Sequence, residues 1–160
     1  MTMDIEHAPS AVHRGEDELP WIDDGRGTQT KLLVAKVREG LWIVRARFSP
    51  GVAVQTHKHT GAVYAYTSGG SWRYLESDYV NRAGSFLYEP AGSIHTLVVP
   101  ASNTEATDVG FQIYGANLNL AEDGSAQSVT DAASVLAAYR RRCAEAGLAD
   151  PPVITDDTHG

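Results

Sequence analysis

The chain has 160 residues, of which 42% are hydrophobic, and this suits one domain around a single core. Its formal net charge is −7 and its one cationic run, Arg140-Arg141-Arg142, falls in helix-forming sequence, so no nucleic-acid partner is expected. A single cysteine, Cys143, excludes an internal disulfide; with no basic-then-apolar leader and no apolar window long enough to cross a bilayer, the expected setting is cytoplasmic, away from membranes.

Residues 1–18 are polar and without period, and read as a flexible N-terminal arm. Leu19-Pro20-Trp21-Ile22 is a short apolar anchor. Residues 31–38 and 41–48 read as two strands around the turn Arg38-Glu39-Gly40. Ser49-Pro50-Gly51 breaks the chain before Gln55, His57 and His59, and Val63 to Thr67 follows as a further strand. Ser68-Gly69-Gly70 and Asn81-Arg82-Ala83-Gly84 are turns on either side of a strand over Ser71–Leu75, which Tyr79-Val80 briefly continues. Ser85–Glu89 and His95–Val99 are strands joined through Pro90 and Gly92, and Val109–Asn119 is the last long strand. Asp131 is placed to cap a helix over residues 131–146, stopped by Gly147. Many short strands with Gly/Pro turns and one terminal helix predict an all-β barrel or double sheet. The predicted organisation is an arm (1–18), a β-barrel (19–124), a helix packed on it (125–150) and a loose tail (151–160).

Three histidines carry the chemistry. His57 and His59 stand at i and i+2, a spacing that turns both imidazoles to one face of a strand. His95 follows the Pro90-Ala91-Gly92 turn and can join them on one metal ion. Alone, the His57–His59 pair reads first as two exposed strand residues; His95 after its turn and the flanking Gly51, Gly70, Gly84 and Gly92 shift the reading to a metal site. Gln55 lies on the His57 face of a regular strand, as a fourth polar group or a surface amide. Val63 is expected to line the pocket. Tyr64 and Tyr66 point away from the histidines unless a bulge intervenes. Glu89 reads as a base, an acceptor behind a ligand, or a turn-stabilising carboxylate. Arg73 would meet an anionic substrate group, or Glu76 on its own strand. Trp42, Trp72, Phe86 and Phe111 either wall a cavity or pack the core.

The spacing Gly51, His57-Lys58-His59, Gly70 and then Gly84, Pro90-Ala91-Gly92, His95 resembles the two cupin motifs, departing only at Val63, where glutamate is usual. Residues 19–124 are more narrowly similar to the small cupins known as 2,4'-dihydroxyacetophenone dioxygenases. The shared stretches are Leu19-Pro20-Trp21, His59-Thr60-Gly61, Gly70 through Glu76, Gly84-Ser85-Phe86, Glu89-Pro90, His95 through Val99, and parts of 114–124. The resemblance implies a cupin-type double-stranded β-helix, a jelly-roll barrel, with His57, His59 and His95 as ligands. It also implies an Fe(II) enzyme that uses O₂ to cleave a carbon–carbon bond beside a carbonyl of a small hydroxyketone or diketone. Read from the residues themselves, Glu89, Tyr64 and Arg73 are the catalytic candidates. Imidazole also binds Zn, Ni, Mn and Cu, so a redox-neutral lyase, isomerase or cyclase and a non-catalytic metal or ligand sensor stay open. No G-x-S-x-G elbow supports a serine hydrolase. Cupins commonly pair through an edge strand or N-terminal arm, and a homodimer is expected.

Overall fold

The computed structural model describes residues 1–159 and bears out the all-β expectation with its C-terminal helix. In chain order the strands are β1 (Ile22–Asp23), β2 (Thr28–Lys36), β3 (Leu41–Phe48), β4 (His57–His59), β5 (Val63–Gly69), β6 (Ser71–Tyr74), β7 (Asn81–Arg82) and β8 (Phe86–Glu89). Next come β9 (Ile94–His95), β10 (Leu97–Val98), β11 (Thr107–Tyr114), β12 (Asn117–Leu120), β13 (Ala126–Thr130), helix α1 (Ala132–Glu145) and β14 (Ile154–Thr155).

A seven-stranded sheet runs β1-β2-β3-β11-β5-β8, with β14 added alongside β2. Two smaller sheets, β10-β6-β7 and β13-β12-β4-β9, complete the barrel. Strict alternation places Trp42, Val44, Ala46 and Phe48 of β3 inside, as it does Val63, Ala65 and Thr67 of β5. The main core joins the layers: Ala46, Phe48, Ala65 and Val109 from the large sheet meet Trp72, Tyr74, Leu97 and Val99 from the small ones. Trp72 is fully buried, and its indole N–H donates to Thr67 Oγ1.

Helix α1 starts at a reciprocal cap: the Ser134 N–H donates to Asp131, and the Asp131 N–H donates to Ser134 Oγ. Its Tyr139 and Cys143 pack with Leu19, Ile22, Leu32, Ala35 and Val153 in a second cluster. Two stretches differ from expectation. Residues 126–130 form β13 rather than helix, because their backbone pairs with β12. The tail is docked rather than loose: Val153 is buried, β14 runs parallel to β2, and Asp157 meets Arg38. Gly160 lies outside the described residues.

The arm divides at its middle. Residues 1–12 are almost wholly exposed, whereas Glu16 to Trp21 lies on its own sheet. Glu16 pairs with Lys31 and Arg45, and the Trp21 ring sits 4.0 Å from the Arg47 guanidinium. Among the described residues, no helix is long and apolar enough to cross a membrane.

Candidate metal centre

Strand β4 is only three residues long, and it presents both of its terminal imidazoles to the interior, with Lys58 outside. Its neighbours fix it in place. His57 stands opposite His95 in the β4–β9 ladder, so the third imidazole arrives across one rung. The Pro90–Ser93 turn then clamps the far end: the Gly92 N–H donates to the His59 carbonyl at 2.7 Å, and the His59 N–H donates to the Ser93 carbonyl at 3.0 Å. Gly92 holds φ +87°, which the third position of such a turn requires and which a side chain would strain. The turn signal that orders the sequence is thus also the brace that holds His59.

One ligand atom from each of His57, His59 and His95 lies within 4.8 Å of the other two. The rings are presented by what holds their other nitrogens. His57 Nδ1–H donates to the Gln55 carbonyl at 2.9 Å, and His59 Nδ1–H donates to Asn117 Oδ1 at 2.8 Å. Both Nε2 lone pairs therefore face inward. His95 is stacked on Tyr74, with ring centroids 3.8 Å apart and planes within 9°. Burial, with repulsion from the other imidazoles, depresses the His95 pKa to about 4 against the pull of Glu89. His57 is lowered too, again chiefly by burial. Near neutral pH both are uncharged donors, the form that binds a cation.

A carboxyl joins them. Glu89 is buried, with Oε2 3.2 Å from His59 Nε2 and 3.8 Å from His95 Nε2. Its Oε1 accepts the Tyr74 hydroxyl. Burial and the adjoining carboxyl push the Tyr74 pKa far up, so the phenol remains a donor. His59 Nε2, His95 Nε2 and Glu89 Oε2 are all buried without a hydrogen-bond partner. Buried polar atoms seldom stay unpaired, and three that converge on one point fit a divalent cation. Donors about 2.1 Å from an ion at right angles sit about 3 Å apart, close to the Glu89–His59 spacing.

The cupin-like spacing puts a carboxyl at position 63, where this chain has valine. The structure supplies one from the facing strand: Val63 and Glu89 are direct partners in the β5–β8 ladder. Opposed residues of an antiparallel pair share a face, so Glu89 enters the barrel beside Val63.

The other sequence candidates do not reach this point. Gln55 is exposed, and its amide donates to the Leu120 carbonyl and Gln127, because regular pairing begins only at His57. Its backbone carbonyl, not its side chain, serves the site. Tyr64 projects outward onto Tyr88 and Phe86, as the regular alternation of β5 from Val63 to Thr67 requires. Arg73 alternates with the buried Trp72 and Tyr74, so it too faces away; its guanidinium meets the Tyr74 carbonyl, while Glu76 accepts from Thr96 instead. Sequence reasoning missed Tyr74 and Asn117. Neither carried a pattern, since each acts through a partner far along the chain.

A cavity of about 390 Å³ opens onto His57, His59, Tyr74 and Glu89. Val44, Phe48, Val54, Leu97, Phe111 and Ile113 form its apolar walls, and Trp42 also lines it. Phe86 is outside the barrel, 65% exposed. This is a small, mostly apolar chamber that Asp24, Arg26, Thr28 and Thr30 also line.

Residues 10–112 match the family model for the ChrR cupin-like domain. A cupin-like protein of unknown function from Ralstonia eutropha JMP134 is 31% identical, with a TM-score of 0.76 over 92% of this chain and 97% of that one. An RmlC-like cupin from the same organism is 26% identical, with a TM-score of 0.84 over 96% and 99%. An acetylacetone dioxygenase from Acinetobacter johnsonii shares the fold at 14% identity, with a TM-score of 0.70 over 82% and 91%. No curated protein matches the chain. Barrel, converging histidines and family match agree, and the chain belongs to the ChrR cupin-like domain family.

Proposed function

We propose that this cupin is an Fe(II)-dependent dioxygenase that cleaves a carbon–carbon bond next to the carbonyl of a small, largely apolar hydroxyketone or diketone. The observation that carries the proposal is the set of unpartnered buried donors facing a mostly apolar chamber. His57, His59 and His95, with Glu89, would hold the ion. Bound there, it would supply Lewis acidity toward the substrate's carbonyl oxygen and the redox chemistry with O₂. The likeness to an acetylacetone dioxygenase supports this reading through the fold they share.

The chain's own residues do the rest. The apolar walls exclude water and orient the substrate with its oxygens toward the histidines. Glu89 Oε2, 3.2 Å from His59 Nε2, is the carboxyl oxygen that would join the imidazoles on the ion. The Tyr74 hydroxyl fixes the other oxygen and keeps Oε2 aimed into the chamber. Asn117 and the Gln55 carbonyl hold two of the imidazoles in the required tautomer.

The Glu89–Tyr74 pair also favours a second reading, since an acid–base couple beside a metal can run a lyase or isomerase reaction without O₂. The test separates the two. Protein purified without oxygen is loaded with Fe(II), Zn, Ni, Mn or Cu in turn. O₂ uptake is then followed with acetylacetone and 2,4'-dihydroxyacetophenone, and products are identified with isotopically labelled O₂. The dioxygenase reading expects uptake with Fe(II), two labelled fragments, loss on His95→Ala, and a fall of about 100-fold or more on Glu89→Gln. Turnover that proceeds equally without O₂ supports the second reading. Stoichiometric metal binding with no turnover of any enolisable ketone would leave a sensor.

A further inference from the structure

We infer that the chamber takes its ketone as an anion, whose carboxylate, remote from the chelating oxygens, is held by Arg26, Thr28 and Thr30. The inference rests on the ketone chemistry proposed above and names the substrate class it serves. Of the side chains that line the chamber, Arg26 alone is a lysine or arginine. It is exposed, whereas His57, His59, Tyr74 and Glu89 are buried, so the cation stands where the chamber meets solvent and the metal donors stand inside. Among the described residues, the one hydrogen bond of Arg26 runs from its backbone N–H to Asp24, and its guanidinium is unpaired. Lys31, Arg38, Arg45 and Arg47, by contrast, each meet a carboxylate.

The loop that carries Arg26 is braced. Asp24 Oδ1 accepts the N–H of Arg26 at 2.7 Å and that of Thr28 at 3.0 Å, which also occupies the nearest carboxylate oxygen with protein donors. The Gly27 carbonyl accepts the Ser49 N–H at 2.8 Å. Gly27 holds φ +92°, and a Cβ there would lie 2.9 Å from Cγ2 of Val52, itself a wall residue. The guanidinium therefore starts from a fixed backbone beside the chamber wall. Strand β2 adds two hydroxyls. Thr28 and Thr30 stand opposite Phe48 and Ala46 in the β2–β3 ladder, and opposed residues share a face, so both side chains look into the chamber as those two do. Among the described residues both threonines bond to protein through the backbone only, Thr28 to Asp24 and Thr30 in the β1–β2 ladder.

Chemistry selects the ligand. A guanidinium presents paired N–H donors that match the two oxygens of a carboxylate, and neighbouring hydroxyls can donate to the same group. On a chain of net charge −7 an anion is repelled at a distance, so one that enters needs a cation at the opening. A ketone without charge would leave all three donors unused. Arg73, the arginine that the sequence offers for an anionic substrate group, faces away from the chamber, and Arg26 stands at its edge instead.

Calorimetry without oxygen on the zinc-loaded full chain tests this with heptane-2,4-dione and 4,6-dioxoheptanoate, which differ by a terminal methyl exchanged for a carboxylate. The wild type is expected to bind the acid about 10–100-fold more tightly, by a margin that narrows as salt rises. Arg26→Gln, at an exposed side chain without protein contacts to lose, should bring the two affinities together. A wild type that does not prefer the acid, or an Arg26→Gln variant that still does, overturns the inference. Failure of both diketones to bind counts against the ketone reading alone, and the carboxylate site is then decided with heptanedioate against heptanoate. One carboxylate can meet the zinc in either, so a preference for the diacid that Arg26→Gln abolishes supports the site, and equal binding overturns it.

Discussion

Asn117 accepts the Nδ1–H of His59 and so decides which nitrogen of that ring is free. Asn117→Ala is expected to leave the fold intact and weaken metal binding about 10–100-fold, read by competition with a chromogenic chelator. Tyr74→Phe should act differently. It leaves Glu89 Oε1 buried without its donor and is expected to cost about 1–3 kcal/mol in urea unfolding of the metal-free protein. The histidines were legible in the sequence because the residues that gather them are local: an alternating pair, then a turn. Asn117 and Tyr74 were not, because they reach their partners from 58 and 15 residues away. Glu89 was visible as a candidate, but only the β5–β8 register shows that it stands where a carboxyl at position 63 would have projected.

Strands whose faces differ sharply in polarity were readable, β3 and β5 above all, since alternation is the signature of a half-buried strand. Strand β13, Ala-Gln-Ser-Val-Thr, is mostly exposed and buries no apolar face, so no pattern marked it. The two-residue β14 is too short to carry any period. Turns are the more exacting part. Gly70 has φ +70°, and a Cβ there would lie 2.6 Å from Thr107 Cα. Gly70→Ala therefore combines backbone strain with a collision between β5–β6 and β11. It is expected to destabilise the protein by about 1–3 kcal/mol in chemical denaturation, with metal stoichiometry retained in the folded fraction.

The barrel as a whole is closed over two kinds of contact, and they respond to different conditions. Removing the metal leaves the donors unpaired at the centre; restoring it at about 1,000 times its dissociation constant should add about 4 kcal/mol, seen as a rise in Tm. The arm answers to acid instead. Glu16 sits below the usual carboxylate range, held there first by its hydrogen bond from Lys31, with Arg45 adding. Burial resists ionisation of Asp108, but Arg45 and Arg47 outweigh it, so that group is lowered as well. A carboxyl depressed in the folded state stabilises fully above its unfolded pKa, and the contribution fades as pH falls through the folded value. From ordinary values of 4.5 and 3.8, the arm should loosen below about pH 4, with faster amide exchange across 14–22 before the barrel core responds. Finally, the rung that sets Val63 opposite Glu89 gives the interior two addresses for a single acid. Exchanging them, Val63→Glu with Glu89→Val, should rescue metal affinity lost in Glu89→Val alone. Such a rescue would show that two backbones lying side by side let a function migrate between strands while the ladder beneath it stays unchanged.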